Sequence, residues 1–228
     1  MSEALAVPKA VPRILLVLTG LTGIVDAVSV LALGHVFTAN MTGNIVFLGF
    51  AVAGTPGLSA PRTGLALVCF AIGAAIGGRM ASRPRHRNWI AKALTVESLL
   101  LLVAAAVALP IHGEGRKSLT FVMVVIAITA GNMGLRNAVV RKLSVPDLTT
   151  TVLTLTLTGL ASDSSAAAGN NPGWRRRVSA IAAMFVGAMA GAFMVRISVS
   201  LPLFCCSFVA AVCAWNAFQV QPNLEGTW

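Results

Sequence analysis

Four polar side chains, Thr38, Asn40, Thr42 and Asn44, alternate through the stretch HVFTANMTGN at 35–44, with Gly43 among them. Apolar runs flank the stretch on both sides. Amide and hydroxyl groups at that spacing supply donors and acceptors where the backbone leaves a regular helix, and glycine permits dihedrals that other residues resist. A half-helix starting near Thr42 would point its positive end at whatever occupies the break, which favours an anion or the negative end of a dipole. A second polar stretch, DLTTTVLTLTLTGLA at 147–161, offers Thr149, Thr150, Thr151 and Thr154, with Asp147 as a candidate N-cap. The ordinary alternative for both stretches is a turn whose Asn and Thr satisfy nearby backbone.

Two carboxyls fall inside apolar runs. Asp26 lies near the middle of the first run, where a carboxyl is costly and is usually kept for a pathway, a relay or a pairing. It is a candidate proton carrier, with the break at 38–44 and Asn137 as expected neighbours. Glu97 is enclosed by position and shows no counterpart elsewhere in the chain. Arg136 reads as the end of the fourth span, close to the second break, free to pair with Asp147 or to face an anion, or else as an ordinary positive-inside arginine with no further role. His35, His86 and His112 are dispersed, and Cys69, Cys205, Cys206 and Cys213 sit in apolar runs without metal-ligand spacing. No P-loop, zinc helix, nucleophile elbow or dinucleotide fingerprint is present. The expectation is no cofactor, no metal and no enzymatic activity.

The elements that must position these residues belong to a membrane. The chain has 228 residues, 57% hydrophobic and only 11% charged, against about 25% charged in soluble domains. Its net charge of +10 sits in short basic clusters between apolar runs, without interleaved aromatics, so nucleic acid is not the expected partner. The fold class is an all-α integral membrane protein. Six full spans are expected near 13–34, 62–82, 89–110, 118–140, 175–195 and 197–218, since crossing takes about 20 residues. A tail at 1–12 and another at 219–228 flank one membrane domain at 13–218.

The order of features repeats. Gly23-x-x-Asp26-Ala27 is echoed by Gly134-x-x-Asn137-Ala138, and at the same offset Thr38 falls on Thr149 and Asn40 on Thr151. The G-x-x-x-G pair Gly73/Gly77 is echoed by Gly187/Gly191. Repeat one would run from about 13 to 112 and repeat two from about 118 to 218. Charge then selects the topology. If both polar stretches crossed, eight basic residues would lie inside and nine outside; if neither crosses, thirteen lie inside and four outside. The positive-inside rule therefore favours six spans, two re-entrant segments, a cytoplasmic N-terminus and the plasma (inner) membrane. Three spans per repeat is odd, so the repeats insert in opposite orientation, as in many transporters. The glycine pairs read as close helix contacts between repeats or between the subunits of a homodimer.

Gly23-Ile-Val-Asp26-Ala27 followed by Leu33-Gly34-His-Val-Phe-Thr38-Ala-Asn40-Met-Thr42-Gly43-Asn44 resembles the hallmark of the YoaK family, and Asp147-Leu-Thr149-Thr150-Thr151-Val-Leu-Thr154 looks like its second signature. The likeness covers about 13–218. It implies a multi-span membrane protein of bacteria or fungi and supplies no substrate. The residues themselves point to a small-solute permease or channel, with the breaks meeting around the solute and Asp26 as its coupling or gating residue. The alternative is a non-transporting scaffold or partner subunit whose breaks only lock helices together.

Overall fold

The computed structural model describes residues 10–81, 89–111, 116–143, 150–151 and 153–220. Eight α-helices follow one another: α1 (Ala10–Ala32), α2 (Met41–Val52), α3 (Ala60–Ala81), α4 (Trp89–Ala108), α5 (Arg116–Leu143), α6 (Thr154–Ser162), α7 (Trp174–Val195) and α8 (Ser200–Val220). Six are long and apolar enough to cross a bilayer. At about 1.5 Å per residue, α2 and α6 reach only about half of a roughly 30 Å hydrocarbon core. The protein is an all-α integral membrane protein. Leu31, Ile45, Phe185, Phe208 and Trp215 stay exposed on its flanks, as expected of residues that meet lipid tails.

Glycine decides which helices touch. A Cβ on Gly73 would strike the Gly131 carbonyl, and one on Gly134 would strike the Phe70 carbonyl; α3 and α5 are in backbone contact. The same arrangement recurs between α1 and α7, where Gly187 meets Gly20, Gly23 meets Met184 and Ala188, and Gly191 meets Ile24 and Ala27. Each glycine pair expected from the sequence is therefore filled by a helix of the other half of the same chain. The faces considered for a homodimer are the faces that hold the two halves together. Small residues let backbones approach where lipid gives no hydrophobic drive to associate.

These contacts also fix direction. Along both the α1–α7 and the α3–α5 seam, residue numbers rise together, so each pair runs parallel. Ala93 packs with Leu135 and Val139 while Glu97, one turn on, reaches Arg136, so α4 runs against α5. Ser98 and Ser207 each donate to the other's carbonyl at 2.8 Å, a reciprocal pair that marks a two-fold axis between α4 and α8. A shallow groove lined by Thr95, Leu99, Trp215 and Phe218 lays the first half of α4 beside the last half of α8, so these two are antiparallel. A four-residue turn reverses the chain between α7 and α8. Hence α1, α4 and α7 point one way, and α3, α5 and α8 the other. The second half of the chain repeats the first upside down. Residues 33–59, containing α2, leave and return at one end of the bundle, and the described residues between α5 and α7, containing α6, lie toward the opposite end.

Candidate functional site

The first break is built by the end of α1. Leu33 is followed by Gly34 at φ +93°, and His35 donates its N–H to the Val30 carbonyl, so the helix closes with a left-handed cap. The chain then folds back along α1. The backbone N–H groups of Thr38 and Ala39 lie toward the Asp26 carboxyl, two turns below the end of the helix. The N–H groups just ahead of the half-helix α2 therefore already face the Asp26 carboxyl.

The other residues of this stretch divide by role. Asn44 clamps the turn: its Oδ1 accepts from the Phe37 N–H at 2.9 Å, and its Nδ2 donates to the Phe37 carbonyl at 2.6 Å. Asn40 caps α2, accepting from the Gly43 N–H at 3.3 Å. Gly43 is helical rather than unusual in its dihedrals. A Cβ there would press into the Phe37 ring, which stacks on Phe47 at 5.6 Å. Thr42 is exposed, whereas Thr38 is fully buried. The structure thus brings Asp26 and Thr38 together and leaves Asn40, Gly43 and Asn44 to shape the turn.

The second break mirrors this on α5. Asn137, the equivalent of Asp26, accepts from the Thr151 hydroxyl at 2.6 Å and donates to the Met133 carbonyl at 3.1 Å. Thr150 is buried at φ +61°. Helix α6 begins only at Thr154, capped by Leu153 without a side-chain hydrogen bond, so Asp147 is not its N-cap. Thr154 is exposed. Thr149 and Asp147 lie outside the described residues, as do His86, His112 and residues 1–9 and 221–228 of the two tails; α1 takes in 10–12 and α8 takes in 219–220.

Arg136 departs most from expectation. Helix α5 continues to Leu143, and Arg136 is 2% exposed in the centre of the protein. One guanidinium nitrogen donates to Glu97, and the other donates to the Leu18 carbonyl at 2.9 Å and to the Thr22 hydroxyl at 2.7 Å. Glu97 does have a positional counterpart: the Ser98–Ser207 pair sets Cys206 opposite it. The signal for the ion pair was in the sequence. A carboxylate inside a span needs a cation, and only Arg136 offers one at comparable depth. Arg177, one of the thirteen basic residues counted as inside, also makes specific contacts. It donates to the Gly159 carbonyl at 2.6 Å and to Asp163 at 2.8 Å, tying the end of α6 to α7.

Several buried polar atoms have no hydrogen-bond partner among the described residues: Asp26 Oδ1, Thr38 Oγ1, Thr150 Oγ1 and both side-chain heteroatoms of Asn132. Each such atom costs on the order of 1–3 kcal/mol in a protein interior. They lie at both breaks and on the α5 face that carries Arg136.

The family model described as "Protein of unknown function (DUF1275)" matches residues 14–215. The chain is 36% identical over 151 residues to the "UPF0700 transmembrane protein YoaK" of Bacillus subtilis (strain 168), a match that covers 63% of this chain and 62% of that one. The match thus spans less than two thirds of that relative's length. No solved structure matches. With the family model covering nearly all of the membrane domain, the chain belongs to the DUF1275 family, in which YoaK is a transmembrane relative.

Proposed function

We propose that the protein is a small-solute permease or channel of the cell membrane, with its N-terminus in the cytoplasm and without enzymatic activity. One observation carries this reading. Each half folds the stretch ahead of its half-helix back onto a polar residue nearly two turns inside a span, Asp26 in one and Asn137 in the other, and the two stretches lie at opposite ends of the bundle. Broken backbone at that depth is otherwise tolerated only where protein buries it. Unpaired hydroxyls at Thr38 and Thr150 give a solute something to bind at each break. A free anion suits the second break, beside neutral Asn137, since Asp26 already serves the amides of the first.

The partner-subunit reading draws on Asn44, whose side chain holds both backbone groups of Phe37. Thiol accessibility separates the two. With the four native cysteines replaced, Thr38→Cys and Thr150→Cys are challenged with a membrane-impermeant reagent from each side. Reaction of one from outside only and of the other from inside only supports the permease. Silence at both positions from both sides means dry breaks and favours the partner subunit.

A further inference from the structure

We infer that Asp26, Thr38 and Asn132 form an internal site for one monovalent cation. The inference concerns the first break of the permease proposed above and rests on that reading for its purpose, though not for its geometry.

Charge balance comes first. Among the described residues, three charged side chains sit in the middle of the spans: Asp26 on α1, Glu97 on α4 and Arg136 on α5. Arg136 and Glu97 neutralise each other in a pair that is almost completely buried. Asp26, when ionised, then has no counter-charge of its own. An uncompensated charge at this depth is among the costliest arrangements a membrane protein can hold. One bound monovalent cation brings the interior to neutrality.

The donors come second. Asp26 Oδ1 and Thr38 Oγ1 are buried and unpaired, and the backbone of Thr38 lies beside the same carboxyl. Asn132 is fully buried with both its amide oxygen and its nitrogen unpaired. Its level follows from register. Arg136 touches Leu18 and Thr22 on α1, which runs against α5. One turn back along α5 is Asn132, and one turn forward along α1 from Thr22 is Asp26. The two share a level near the first break. Three oxygens of carboxylate, hydroxyl and amide type suit a proton held by hydrogen bonds, or sodium, and do not suit a soft metal.

The surroundings are compatible. Arg136 acts on Asp26 from α5. From α7, the residues packed on this part of α1 are Met184, Gly187, Ala188 and Gly191, none of them titratable. On α8, Cys206 approaches the Leu21 carbonyl at 4.0 Å. On α3, Arg62 packs over Gly34 at the mouth of the break. On α4, Glu97 reaches the site only through Arg136.

Infrared difference spectroscopy on the full-length protein in lipid tests the site. The expected result is a protonated-carboxyl band that responds to pH, or to sodium replacing choline at fixed pH, and that Asp26→Asn abolishes. Response to pH alone assigns the proton; response to sodium at fixed pH assigns sodium. A band that survives in Asp26→Asn, or an Asp26 band that responds to neither ion, overturns the site. If Asp26→Asn does not fold, Asn132→Leu carries the test: a shifted band supports the site and an unshifted one overturns it. Solute flux into liposomes is measured separately. Flux without an Asp26 response removes the cation site and leaves the permease; an Asp26 response without flux of any solute does the reverse.

Discussion

Arg136 shows how little a single residue's place in the sequence says about its work. Near an apparent span end it passes for a topology signal, yet it ties together α1, α4 and α5. Removing Arg136 and Arg177 from the positive-inside count lowers the inner total from thirteen to eleven against four, so the orientation argument stands. The pair's energetics are testable. Glu97→Ala leaves a buried guanidinium without its counter-charge and is expected to cost about 3–5 kcal/mol. The double change Glu97→Leu with Arg136→Met removes both charges and is expected to recover most of that loss. Thermal unfolding in detergent reads both, and a double variant no better than the single one would show that the pair is not the source. Asn44 supports a second prediction. Asn44→Ala removes two hydrogen bonds to Phe37, at about 1–3 kcal/mol. The turn should loosen, and the thiol of Thr38→Cys should label faster than in the parent; an unchanged rate would mean that the ring stack of Phe37 on Phe47 suffices.

At the scale of the elements, sequence reading succeeded where hydropathy and glycine speak clearly. Six spans, two short polar segments and the paired glycines of α3 and α7 were all legible, because each leaves a contiguous or periodic trace. Partners across elements were not. Depth alone points from Glu97 to Arg136 without showing that α4 and α5 are neighbours, and nothing in the arginine cluster of α7 separates Arg177, which reaches Asp163, from its neighbours. Such pairings depend on which helices become neighbours, and here the glycine seams decide that. The seams predict a sharp contrast among glycines. Gly73→Ala, Gly134→Ala and Gly187→Ala force methyl groups into facing backbone, and each should cost about 1–3 kcal/mol. Gly49→Ala and Gly64→Ala meet open space inside helices and should be neutral or gain up to about 1 kcal/mol. Equal losses in both groups, read as melting temperatures, would rule out the seams as the determinant.

At the scale of the whole molecule, the two halves are exchanged rather than adjacent. Within each half, the first and second spans find their principal backbone contacts in the other half: α1 on α7, and α5 on α3. The third spans, α4 and α8, meet at the serine pair on the axis. The central ion pair joins α4 of one half to α5 of the other. A half alone would therefore present glycine seams to lipid and leave Glu97, or Arg136, without its partner. Neither half should persist by itself. Separate expression of two chains, cut between Ile111 and Arg116, is expected to give little of either fragment in the membrane. Coexpression should restore both and let a tag on one retrieve the other in mild detergent. Adding Gly73→Val to the first fragment should abolish that retrieval, since the isopropyl group lands on the Gly131 backbone at the seam. Stable accumulation of either fragment alone would mean that its helices have partners of their own, and the exchanged architecture would then be wrong as drawn.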